Sequence, residues 1–207
     1  MIGNEIHKFA KELWPINRSI TGDGVRETLS KISKHLPTLQ IKSVPTGTKV
    51  FDWTVPKEWS VNEAYIVTPS GKKICDFSNN NLHLIGYSIP FKGNVNLEEL
   101  KKHLYTQPDQ PNAIPYITSY YEKRWGFCLA QEQFDALEKG TYKVVIDSIL
   151  FDGELNYGEL LIKGKSDKEI FLSTYICHPS MANNELSGPT VVTFLAKWLQ
   201  EIDKHEY

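Results

Sequence analysis

The sequence predicts an α/β protein whose sheet and helices are interrupted by a small β-rich inserted domain. Three observations carry this expectation. Apolar residues recur at helical spacing at both ends of the chain, short alternating runs punctuated by Pro and Gly lie between them, and a near-continuous apolar run, 170–176, directly precedes the last helical stripe. Changes of character near residues 38 and 115 divide the 207 residues into N-terminal helices (1–37), the β-rich insert (38–115) and an α/β core (116–207).

Each element follows from local pattern. Ile2, Ile6, Phe9, Ala10 and Leu13 share one helical face, and Trp14-Pro15 ends it. Val25, Leu29, Ile32 and Leu36 form a second stripe, with Asp23 as its expected N-cap and Pro37 closing it. The polar stretch from Pro15 to Gly24 joins the two. Leu39 to Val44 alternates, and so do Phe51, Trp53 and Val55. Thr68-Pro69-Ser70-Gly71-Lys72 reads as a hairpin turn between the runs 64–67 and 73–77. Leu82 to Ile89 is a further run, and Leu97, Leu100 and Leu104 suggest a short helix. After Tyr120 a helix is expected over 131–139, stopped by Gly140, then strands over 142–150 and 157–162 joined through Asp152-Gly153. Ile170 to Ile176 suits a central strand covered on both faces. Val191, Phe194, Leu195, Trp198, Leu199 and Ile202 then predict a core-facing helix, with Lys197, Glu201 and Lys204 off the stripe.

Composition removes several classes of function. Lys plus Arg number 23 against 25 Asp plus Glu, a net charge of −2, which supports neither a basic nucleic-acid groove nor a polybasic membrane face. With 41% hydrophobic and 23% charged residues the chain has the makings of a folded core. The charges at Glu5, Lys8, Lys11 and Glu12 interrupt any signal-peptide core, and no run reaches the ~20 apolar residues that a spanning helix needs. Cys75, Cys128 and Cys177 are odd in number and form no CxxC pair, so no zinc ribbon or disulfide framework is indicated. A cytoplasmic location is the expectation, with Cys177 a small buried hydrophobe in its apolar run.

The chemistry concentrates between the apolar run and the last helix, in Cys177-His178-Pro179-Ser180-Met181-Ala182-Asn183-Asn184-Glu185-Leu186-Ser187-Gly188-Pro189. Open α/β sheets bind ligands beyond the carboxyl ends of their strands, where this loop would lie. A catalytic zinc takes about three protein ligands and a water. His178 can supply a nitrogen, and Asn184 or Glu185 an oxygen. The plainer alternative is that Asn183, Asn184 and Ser187 turn the chain and cap the helix. In the first interhelical loop Arg18, Ser19, Thr21 and Gly22 could contact a carboxylate or phosphate, or simply cap the loop. Tyr120, Tyr121, Arg124, Trp125 and Phe127 could line a substrate groove or pack as core and rim. His83 and His103 read as structural or exposed.

Cys177-His178-Pro179-Ser180 through Asn183-Asn184-Glu185-Leu186-Ser187-Gly188 resembles the first metal motif of zinc aminopeptidases with a phosphorylase/hydrolase-like α/β sheet. More closely, the whole chain resembles a bacterial aminopeptidase-like family associated with polysaccharide biosynthesis. The stretches that carry it are Pro15 to Gly22, Val50 to Pro56, Pro115-Tyr116, Ser119-Tyr120-Tyr121 and Arg124 to Cys128. The resemblance implies a metal-dependent hydrolase of peptide or amide bonds, with one or two zinc ions as cofactor. It makes His178 the first ligand, sets Asn184 at the metal-bridging position, and casts Arg18, Ser19, Thr21, Tyr120 and Arg124 as substrate contacts. Members continue beyond this length, through the catalytic Glu and further ligands to a winged helix, so the chain corresponds to the N-terminal half and is expected to be inactive alone. Ser180 and Asn184 stand where the wider pattern has aspartates. That departure supports a second reading, a non-catalytic peptide- or glycan-binding module in polysaccharide biosynthesis. The expected partner is a peptide or an amide-bearing small substrate. Nucleic acid and membrane are not expected, and an unpaired sheet edge would favour a homo-oligomer.

Overall fold

The two N-terminal stripes become α1 (Ile2–Leu13) and α2 (Asp23–His35) in a computed structural model that describes residues 1–202 and 205–207. α1 buries Phe9 and Leu13, and α2 buries Val25, Thr28, Leu29 and Ile32. Gly22, at φ +98°, serves as the N-cap in place of Asp23, which is the first helical residue. Gly24 lies so close to the preceding loop that a Cβ there would overlap the Asn17 carbonyl. Glycine at both positions lets the loop fold back tightly on the start of α2.

The strands are β1 (Gln40–Pro45), β2 (Lys49–Val50), β3 (Trp53–Thr54), β4 (Glu58–Val67), β5 (Lys73–Ile74), β6 (Phe91–Asn96), β7 (Leu104–Tyr105), β8 (Phe127–Cys128), β9 (Thr141–Phe151) and β10 (Glu154–Glu159). α3 (Leu97–Lys101) and α4 (Gln131–Asp135) are short, and α5 (Ser187–Gln200) is the last helix. The architecture is mixed α/β. Residues 1–58 and 152–207 form one compact unit, and 59–151 form a second. The segment 40–54, grouped with the insert by its composition, lies in the first unit because β1 pairs antiparallel with β10, from Gln40 opposite Glu159 to Pro45 opposite Glu154. Residues 116–151, grouped with the core, lie in the second, where β9 pairs with β6 from Phe91 opposite Ile146 to Asn96 opposite Thr141.

The first unit is centred on Phe9, Leu13, Ile16, Ile32 and Leu36, with Leu186, Phe194 and Ala196 from the end of the chain. Its charged node is the buried Glu58. Arg26 donates Nη1 to Glu58 Oε1 at 2.9 Å and Nη2 to Oε2 at 2.8 Å, while the Glu154 backbone N–H donates to Oε1 at 2.8 Å. This fork ties α2 to the turn between β9 and β10, and a Cβ at Gly153 would overlap the Glu58 carboxylate.

In the second unit the strand order is β5-β4-β9-β6, and β4 and β5 form the expected hairpin with Gly71 at φ +84°. The Trp59 indole and the Ser148 hydroxyl both donate to the Ser88 carbonyl, at 2.9 and 2.8 Å. His83 is buried against the Cys128 carbonyl, and His103 stacks on Trp125 with ring centroids 3.6 Å apart.

Further sequence expectations need correction: Leu82 to Ile89 forms no strand, and Leu104 lies in β7 instead of the short helix. Residues 170–176 join no strand among the described residues, and Phe171 is 87% exposed. β propensity makes a strand only where a neighbour accepts its ladder bonds, and no described residue does so here. The stripe on α5 is also only partly inward. Phe194 is buried, yet Val191 and Trp198 are exposed, and the covered face is Pro189, Thr190, Thr193, Phe194 and Ala196. The helix expected over 131–139 ends at Asp135, ahead of a turn closed by Gly140 at φ +152°. Lys204 lies outside the described residues. No helix among the described residues is long and apolar enough to cross a membrane.

Arg26→Met should lower stability by about 2–3 kcal/mol, because it leaves the buried Glu58 carboxylate with one backbone donor; the midpoint of urea unfolding at unchanged m measures it. Burial pushes the Cys75 and Cys128 thiols up to about 12. At pH 8 both therefore stay protonated, and Ellman's reagent should leave them unmodified in the folded chain but label them in urea.

Candidate metal centre

The segment after residue 176 is shaped by a wide turn. Ala182–Leu186 forms a π-helical turn, in which the Leu186 N–H donates to the Met181 carbonyl at 3.1 Å, and α5 continues directly from it. Such a turn holds one residue more than an α-helical turn and changes which side chains face inward. Asn183 and Asn184 face solvent, while Glu185 and Leu186 are buried. Gly188 permits the close approach of α5 to the incoming chain, since a Cβ there would overlap the Thr174 hydroxyl.

Glu185 is 0% exposed and is met by His178. The His178 backbone N–H donates to Oε1 at 2.7 Å, and the ring Nδ1 lies 3.1 Å from Oε2. The Cys177 sulfur is 3.0 Å from the same Nδ1. Cys177, followed by Glu185, pushes the His178 imidazole up to about 9. Cys177 is half-buried beside the ring and is part of this cluster, not an isolated core thiol.

The loop 13–21 clamps the cluster from the other side. Arg18, 1% exposed, donates Nη1 to the Leu13 carbonyl at 2.7 Å and Nε to the His178 carbonyl at 3.0 Å. Its Nη2 is buried without a hydrogen-bond partner among the described residues. Burial draws the guanidinium below its usual range, and the nearby Glu185 carboxylate opposes that effect. Ser180 donates its hydroxyl to the Trp14 carbonyl at 2.9 Å while holding φ at +47°, a left-handed backbone that a side chain disfavours. The Ser19 hydroxyl donates to the Thr21 carbonyl at 2.6 Å, and both residues are buried within their own loop.

His178 thus lies with Arg18 in one site, and Asn184 lies on its solvent side. Tyr120 and Arg124 belong to the second unit. There the Tyr120 hydroxyl meets that of Tyr116 at 3.1 Å, and Arg124 donates Nη2 to the Thr118 carbonyl at 2.8 Å. From sequence, Glu185 is expected only as the alternative to its neighbour Asn184. Its signal is a carboxylate flanked by an apolar residue at the start of a helix, a weak one without the turn geometry.

The donors of Cys177, His178 and Glu185 all lie within 4.8 Å of one another. Sulfur, imidazole nitrogen and carboxylate oxygen are the atoms that zinc takes, so the residues present fit such an ion.

A profile of the family described as a domain of unknown function (DUF4910) matches residues 7–207. A protein of Clostridium acetobutylicum, provisionally named for polysaccharide biosynthesis with an aminopeptidase-like domain, is 52% identical over 206 residues, which is 99% of this chain and 47% of that protein. A 2.37 Å crystal structure from Clostridium acetobutylicum, provisionally named a peptidase, matches with a TM-score of 0.96 at 52% identity, covering 100% of this chain and 48% of that one. The chain spans about half the length of these relatives.

Arg18→Met should destabilise the first unit by on the order of 3 kcal/mol, since it removes a positive charge near the buried Glu185 and strips the His178 carbonyl of a donor. Urea unfolding checks the value.

Proposed function

The chain belongs to the DUF4910 family, and from that premise and the geometry above we propose that it forms part of an aminopeptidase-like hydrolase of peptide or amide bonds, acting in bacterial polysaccharide biosynthesis on a zinc-aminopeptidase-like fold. The observation that carries this reading is the gathering of Cys177 and His178 around the buried Glu185 in the loop ahead of α5. The naming of the relatives as aminopeptidase-like and as a peptidase supports the reaction class.

His178 is the ligand nitrogen that this chain contributes. A zinc ion bound there would act as a Lewis acid and make its water a usable nucleophile at neutral pH. Arg18 and Ser180 hold the histidine loop against the Leu13–Trp14 backbone, so the ligand is fixed before an ion arrives. Three free thiols suit the reducing cytoplasm in which such an enzyme would work.

The neutral, exposed amide at Asn184 favours a second reading. A two-metal centre gains little charge neutralisation from it, which suits a peptide- or glycan-binding module instead.

Zinc content separates the two. Atomic emission on the purified chain should find bound zinc, and His178→Ala should reduce it to background. Zinc retained by His178→Ala would overturn the ligand assignment. A wild-type chain without zinc that binds a peptide or glycan would replace the first reading with the second.

A further inference from the structure

We propose that Glu185 is the positioning residue of the His178 site, holding the histidine by backbone and ring together. The proposal rests on the reading of His178 as a zinc ligand.

The geometry argues for this role in steps. A carboxylate at 0% exposure has no water to solvate it and must be met by protein donors. Both oxygens of Glu185 turn to one residue: Oε1 accepts the His178 backbone N–H at 2.7 Å, and Oε2 faces Nδ1 at 3.1 Å. Two bonds to one histidine fix the peptide plane and the ring rotation at once. Metal-bound histidines commonly donate their second ring N–H to a carboxylate, which sets the tautomer and raises ligand basicity.

A direct-ligand role fits less well. An ion on Oε2 would compete with the contact that this oxygen makes to the ring Nδ1. Arg18 completes the device. It donates to the His178 carbonyl at 3.0 Å and stands near the Glu185 charge, so the His178 backbone is held at its N–H by one buried group and at its C=O by another.

The test is a zinc chloride titration against a chromophoric chelator on the full chain, comparing wild type with Glu185→Gln and Glu185→Ala. A positioning role predicts zinc affinity weaker by about 10–100-fold in Glu185→Ala, a smaller loss in the near-isosteric Glu185→Gln, and unchanged stoichiometry at saturation in both. The second readout is the hydrogen-bonded Nδ1–H of His178 in nitrogen-edited NMR spectra, expected in wild type and lost in Glu185→Ala. Circular dichroism melting of Glu185→Gln separates loss of the site from loss of the fold. Affinity within twofold of wild type in both variants overturns the proposal, and so does a stoichiometry that falls to zero, which would make Glu185 a ligand. Should wild type take up no zinc, the functional reading fails, and the NMR signal alone decides whether Glu185 holds the ring.

Discussion

A carboxylate with no access to water organises the first unit. Glu185 can be buried only because His178 supplies donors to both of its oxygens and Arg18 places a positive charge nearby. Those requirements propagate outward. Arg18 reaches the cluster only if the loop after α1 turns inward, and that turn is sealed by Leu13 and Ile16 packing with Leu186 and Phe194. Apolar packing and polar satisfaction therefore meet in the same few residues, with Leu186 in the core and its neighbour Glu185 in the charged site. A change to either would disturb the other.

The strain in this region is local and directed. Ser180 holds a left-handed backbone, and the wide turn that follows departs from ideal helix geometry. Neither would persist without surrounding contacts that outweigh its cost, and both lie within eight residues of His178 in the sequence. Their combined effect is to aim Glu185 inward while Asn184 faces solvent. An ordinary α-helical turn over the same residues would distribute these side chains differently.

Elements whose stability is local could be read in advance. α1, α2 and β1 carry their periodicity in consecutive residues, and the hairpin at Thr68 to Lys72 has its own turn chemistry. The run 170–176 misled because its composition specifies a buried environment, and no described residue supplies one. Trp198 and Val191 misled for the same reason, since helical spacing marks an apolar face without saying whether anything covers it. At the candidate site His178 stood out by type and by its place before a helix. Glu185 was visible only as an alternative to Asn184, because its pairing with His178 arises only when the turn that carries it widens. Arg18 was visible as a cation in a glycine-bearing loop, but its burial follows from a contact 160 residues away in the chain.

The two strands that bound the second unit, β4 and β9, are neighbours in its sheet, and Asn62 on one bonds to Asp147 on the other at 2.9 Å. Where the chain leaves the first unit and where it returns, Lys57 pairs with Asp152 at 3.1 Å and Glu58 accepts the Glu154 N–H. For the first unit, residues 59–151 are one long loop to close, at an entropic cost that grows with the logarithm of its length. A second unit that folds on its own removes most of that cost by delivering its two ends side by side. Lengthening or shortening a loop inside the insert would leave this closure untouched, which gives evolution a place to vary the chain without loosening the buried carboxylate.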